Sequence, residues 1–213
     1  MKDETAQIEQ RVKRYWYNDG IGELMGGGIF LLLALYFSAQ QYLGDRSFAG
    51  GLLQAGFVVV LIGSAFLARR LIGWLKEQVT YPRTGYVEYR SGGRNIRLMR
   101  VLSAGIAMLV AMAAIFITRR FNTIDAMTAL TGLLVAVILI VKQGWASGIG
   151  RFYFLSMVSV ALGVGLSISG LAQGYNLGLY YGLMGIAFAV SGGLTLMKYL
   201  RENPLIPGDE NER

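Results

Sequence analysis

The chain has no cysteine and no histidine, and only three prolines. Without cysteine there is no disulfide, no thiolate nucleophile and no thiolate metal site. With histidine also missing, a metal site would have to be built from carboxylates, and the 13 acidic residues do not cluster. No cofactor is expected on these grounds, and no enzymatic activity: intramembrane serine or aspartate chemistry would lack its base or its second acid. Charge is scarce too. Asp, Glu, Lys and Arg make up 15% of the residues, against roughly 25% in soluble domains. The longest polar stretch, Arg69–Arg100, has 32 residues, too few for a soluble domain without a staple. A secretory leader is not expected, because the first twenty residues are polar and of mixed charge.

What remains is apolar: 54% hydrophobic residues, gathered into long runs. Such runs, of about 17–21 residues, can cross a hydrocarbon core of roughly 30 Å as helix. They are continuous and lack a period-two alternation, which excludes a barrel. The spans fall near Met25–Tyr42, Phe48–Leu67, Val101–Thr118, Ile124–Val141, Phe152–Leu171 and Leu177–Met197. The expected fold class is therefore an all-α integral membrane protein. It is a six-helix transmembrane bundle of three helical hairpins, with an amphipathic N-terminal helix and a short cytoplasmic β-hairpin. The domain division is 1–20 for the interfacial helix, 21–200 for the membrane domain including connection 69–100, and 201–213 for a disordered tail.

The basic residues set the orientation. Seventeen of the 20 Lys and Arg fall on the side of both termini, and only Arg46, Arg119 and Arg120 on the other. The positive-inside rule then puts both termini in the cytoplasm of an inner or plasma membrane. Asn122 and Asp125 fit a cap at the start of the fourth span.

Two segments read as surface helices. Thr5–Asn18 gathers Ile8, Val12, Tyr15 and Trp16 near one face and lies in the interface. The second span continues past the bilayer through residues 69–77, with Leu71, Trp74 and Leu75 on apolar surface and Arg70, Lys76 and Glu77 in water. Tyr81-Pro82 should stop it, since Pro82 has no donor and restricts Tyr81. Asn203-Pro204 should likewise stop the last helix. Between the first two segments, Gly20, Gly22, Gly26, Gly27 and Gly28 either bend the chain into the membrane or let a neighbouring backbone approach.

The basic connection carries the candidate site. Tyr86, Glu88 and Arg90 share one face of an extended segment, Ser91-Gly92-Gly93-Arg94 reads as a turn, and Asn95-Ile96-Arg97-Leu98 returns as a second short strand or begins the third span, the hairpin being favoured. Tyr81, Arg83, Tyr86, Glu88, Arg90, Arg94 and Arg97 are the expected contact residues, for anionic headgroups or an acidic partner. Nucleic acid is not expected. Within the spans, Gln54 is the most polar well-inserted side chain and a bridging or ligand candidate. Glu23 and Asp125 stand at span mouths. Small residues at four-residue spacing, such as Ser159, Gly163 and Ser167, or Gly185, Ala189 and Gly193, mark close helix contacts within one chain or in a homodimer.

These features point to a small membrane protein of binding or scaffold type. It would be an accessory subunit or homodimer that contacts anionic lipid or a partner protein through the basic hairpin. The alternative is a facilitative carrier or channel for a small neutral or lipidic molecule.

Overall fold

A computed structural model of the chain describes residues 17–44, 47–84, 124–144, 149–169 and 175–204. Helix α1 runs Ile21–Leu43. It starts at Gly20, whose φ of 72° is left-handed, a conformation that favours glycine. The Asp19 carboxylate accepts the first free amide, from Ile21, at 3.1 Å. Gly44, also left-handed at φ 71°, closes the helix with its N–H on the Gln40 carbonyl. Ser47 caps the next helix, its hydroxyl accepting from the Gly50 amide at 2.9 Å, as serine at this position commonly does.

Helix α2 spans Phe48–Leu75 and passes without a break into a π-helical segment, Lys76–Thr80, and a last turn, α3, at Tyr81–Thr84. The Tyr81 amide reaches back five residues to the Lys76 carbonyl. Tyr81 stays helical (φ −66°, ψ −36°) although Pro82 follows it. The expected stop at Tyr81-Pro82 is thus corrected. A π turn opens the ladder just before the position where proline cannot donate, and so absorbs what would otherwise break the helix. The rod Phe48–Arg83 has 36 residues, about 54 Å at 1.5 Å per residue, well beyond a hydrocarbon core of roughly 30 Å.

Helix α4 covers Ile124–Ile138 and ends in a second π segment, Leu139–Gly144. Helix α5 covers Gly150–Ile168 and α6 covers Tyr175–Glu202. The last ends two residues before Pro204, with Asn203 bonded through backbone and side chain to the Tyr199 carbonyl.

The contacts fix the directions. Gly20 faces Gly192, Gly27 faces Gly185, and Gly178 faces Ser38, so α1 and α6 are antiparallel. Asp19 meets Lys76 and the Tyr36 hydroxyl donates to the Leu53 carbonyl, so α1 and α2 are antiparallel. Gly132 touches Gly163, with Ser159 bonded to the Gly132 carbonyl, and α4 opposes α5. Residues 17 and 204 therefore lie at the same end. At the centre sit Leu139, Phe152, Leu155, Tyr180, Met184 and Phe188. There the Tyr180 and Ser159 hydroxyls, both buried, are 2.7 Å apart.

Two parts of the expected fold are corrected. The described residues contain no strand, and the chain beyond Pro82 starts as helix rather than as the extended arm of a hairpin. They hold five apolar helices, not six. Four are long and apolar enough to cross a bilayer; the other, Met127–Val141, is shorter. The expected hairpin, Tyr86–Arg97, the span Val101–Thr118 and all but the last two residues of the interfacial helix Thr5–Asn18 lie outside the described residues, as does the tail from Leu205.

The outer faces are strongly apolar. Phe48, Leu35, Val59, Phe66, Met157 and Ile168 are each more than two-thirds exposed. So many exposed large apolar side chains among the described residues are out of place in water. They suit helices whose backbone polar groups are satisfied internally in lipid. The protein is an all-α bundle of multi-pass membrane type.

Candidate functional site

The acidic residues nearest the start of α1 are four apart, Asp19 and Glu23, and each meets a base from another helix. Asp19 is 1% exposed and Lys76 2% exposed; Lys76 Nζ lies 2.9 Å from Asp19 Oδ2. The same oxygen accepts the Thr80 hydroxyl at 3.0 Å, and Oδ1 takes the Ile21 amide. Lys76 and Thr80 are the two ends of the π segment, so the widened turn presents both to one carboxylate. The sequence reading of Lys76 as a water-facing residue is corrected: its charge is buried because Asp19 compensates it. A buried ion pair of this kind needs saturating hydrogen bonds, and Asp19 has them.

Glu23 forms the second link. Its Oε1 accepts from Arg151 Nε at 2.6 Å, and its Oε2 accepts from the Ser191 hydroxyl at 2.6 Å. Arg151 also donates through Nη2 to the Tyr17 carbonyl. Its guanidinium sits 5.3 Å over the Phe152 ring, a cation–π distance. Arg151 belongs to the first turn of α5 and Ser191 to α6. One carboxylate thus ties α1, α5 and α6 at the same end of the bundle.

Against this cluster lies a cavity of about 380 Å³. Helix α1 lines it with Gly22, Glu23, Gly26 and Phe30, and α2 adds Ile72. Helix α4 brings Val135, Ile138 and Leu139, α6 brings Phe188, and Tyr17 stands at the charged end. Burial raises the Tyr17 hydroxyl above its ordinary pKa, so the phenol stays a proton donor at neutral pH. The volume falls in the range of small-molecule sites, which are mostly apolar with a few placed polar groups.

The glycine cluster divides into two faces. A Cβ at Gly27 would meet backbone atoms of Ala189 and Gly185 at 2.9 Å, so this glycine permits helix contact. A Cβ at Gly22 or Gly26 would meet nothing within 4 Å, because both face the cavity. The small residues of α6 likewise serve packing within the chain: Gly178, Gly185 and Gly192 lie against α1.

The residues singled out in the sequence do not assemble here. Gln54 is exposed on the outer face of α2, far along the rod from Lys76, and does not line the cavity. Tyr81 and Arg83 share the turn after the π segment, and Arg83 Nη1 folds back onto the Val79 carbonyl at 2.8 Å. Tyr86, Glu88, Arg90, Arg94 and Arg97 lie outside the described residues, and so does the side chain of Asp125. Of the serines, Ser64, Ser156 and Ser169 bond the carbonyl three residues back. Ser191 does not; it serves Glu23.

Asp19, Lys76, Arg151 and Ser191 escaped the sequence reading. One signal was present. Neither Asp19 nor Glu23 has a base four residues along the helix, where Glu23 and Gly27 stand, so burial of either acid demands a distant partner.

The fold and the site define a class, a multi-pass helical membrane protein with a charge-capped cavity at one end. No family model, curated protein or solved structure matches the chain.

Proposed function

We propose that this protein is a membrane-embedded binding protein whose cavity holds one small, mainly apolar molecule taken from the bilayer. The cavity carries the reading: about 380 Å³, walled by four helices and apolar but for Glu23 and Tyr17. Both oxygens of Glu23 and both of Asp19 already accept hydrogen bonds. That fixes the geometry of both carboxylates, which suits positioning a ligand. The lining residues keep to one half of the bundle and stop at the packed core around Leu139 and Phe188. This favours binding over conduction, which needs a polar path between the two faces.

The charged end is the cytoplasmic one in this reading, on the weight of the basic residues there. Arg69 and Arg70, exposed on α2 about two turns before the π segment, meet headgroups at that level.

Native mass spectrometry of the full chain released from nanodiscs tests the proposal. Wild type should retain one lipidic molecule per chain. Gly26→Leu, whose side chain enters open space, should fold and retain none. An adduct that survives Gly26→Leu, or a wild type that carries none, overturns the proposal.

A further inference from the structure

Resting on that cavity reading, we infer that the ligand is a single-chain amphiphile whose head is neutral or cationic and donates a hydrogen bond to Glu23, and that anionic heads are rejected. The inference comes from how charge is arranged around the cavity. Among the described residues that line it, Glu23 alone is charged. Of the described bases nearby, Lys76 is held by Asp19, and Arg151 approaches Glu23 from α5 and is not a lining residue. Among the described lining residues, a group entering the cavity therefore meets a carboxylate and no cation.

That carboxylate has capacity left. An ionised carboxyl offers about four acceptor sites, and Glu23 uses one on each oxygen, at 2.6 Å for both. It offers no donor. A hydroxyl, amide or ammonium can complete it; a carboxylate or phosphate brings only further acceptors and like charge. Tyr17 at the same end supplies a phenol for the other side of such a head.

The rest of the wall is hydrocarbon, from Phe30, Ile72, Ile138 and Phe188. At about 30 Å³ per water-sized group, 380 Å³ takes roughly a dozen non-hydrogen atoms. That fits one medium-length chain and excludes a two-chain phospholipid. The polar groups stand at the charged end of the bundle, so the head would sit at headgroup depth with its tail along α1 and α4. Gly22 and Gly26 leave the space for that tail, since neither has a neighbour within 4 Å of an added Cβ.

The test uses the full chain in phosphatidylcholine nanodiscs at about pH 8, where amines are cationic and carboxylic acids anionic. Dodecan-1-ol, dodecylamine and dodecanoate are titrated separately and occupancy is read by native mass spectrometry. Gly26→Leu runs in parallel to subtract bilayer partitioning. The alcohol and the amine should each reach one molecule per chain. Dodecanoate should need at least a tenfold higher concentration, and Gly26→Leu should bind none of the three. In Glu23→Gln the penalty on dodecanoate should shrink and the amine should lose affinity. The wild-type comparison decides even if that variant folds poorly. If dodecanoate binds as well as the alcohol, and Gly26→Leu removes both, the head-group inference is wrong while the cavity reading stands. If none of the three binds, or binding persists in Gly26→Leu, the cavity reading fails and the inference goes with it.

Discussion

Glu23 and Arg151 are separated by 128 residues of sequence and meet at 2.6 Å, each on the first turn of its helix. Glu23 is nearly fully buried, whereas the Arg151 side chain is 23% exposed. The pair joins α1 to α5, and Ser191 extends it to α6. It also brings negative charge to the N-terminal turn of α1, where the helix dipole favours it. The base faces the dipole unfavourably at the start of α5, and Glu23, with the Tyr17 carbonyl and the Phe152 ring, offsets this.

Removing one partner should therefore cost more than removing both. Arg151→Met leaves a buried carboxylate with only Ser191, and about 2–4 kcal/mol of stability should be lost. Glu23→Met should cost somewhat less, because the exposed part of Arg151 can turn to water. The double variant should recover much of the loss. Equilibrium unfolding in mixed micelles measures all three, and strict additivity would show that the two residues do not act as a pair.

Asp19 and Lys76 make the drier link, and Lys76→Met should cost about 3–5 kcal/mol. The loss should be accompanied by loosening of the π turn, since Lys76 and Thr80 both hold Asp19. Hydrogen exchange of amides 76–81 would report it. Asp19→Asn with Lys76→Met should be milder than Lys76→Met alone. Unchanged exchange in the single variant would mean that the turn is held by Pro82 and not by the ion pair.

Two neighbouring glycines should respond in opposite ways. Gly27→Ala forces a methyl against the backbone of Ala189 and Gly185, at 2.9 Å, and should cost about 1–3 kcal/mol as α1 and α6 move apart. Gly28 is exposed, with nothing within 4 Å of an added Cβ. Gly28→Ala should be neutral or stabilising by up to about 1 kcal/mol, through helix propensity. Thermal unfolding in one detergent compares them directly.

These residues also show what a sequence of this kind can reveal. The expected span Met25–Tyr42 lies within α1, and Phe48 opens α2 as expected. Apolar runs report membrane residence, which depends on composition over about twenty residues. Pairing is different. Nothing local to Asp19 points to Lys76, and nothing local to Gly27 separates its role from that of Gly26. Which glycine meets a helix and which meets a cavity is set by rotation of α1 against α6, a property of the assembled bundle. The π turn hid for a related reason: Tyr81-Pro82 reads as a stop, and only the extra residue in the preceding turn lets the helix pass. The Arg-rich connection is conspicuous in the sequence, while the charges that build the candidate site are single residues scattered over α1, α2 and α5.

The sidedness of the bundle can be read with unusual ease, because the chain has no cysteine of its own. Any introduced thiol is the sole reporter. Tyr42, at the end of α1 away from the ion pairs, is 83% exposed. Glu202, at the last turn of α6, is exposed at the end that holds Asp19 and Glu23, and its contact with Lys198 is a loose 3.8 Å surface pair of little energetic weight. Neither substitution should disturb the fold. With the basic end in the cytoplasm, a membrane-impermeant maleimide applied to intact cells should label Tyr42→Cys and leave Glu202→Cys unlabelled. Both should react after permeabilisation. The reverse pattern would put Glu23 and its cavity at the outer face. The amphiphile would then enter from the outer leaflet, and the basic residues at that end would owe their place to binding and not to topology.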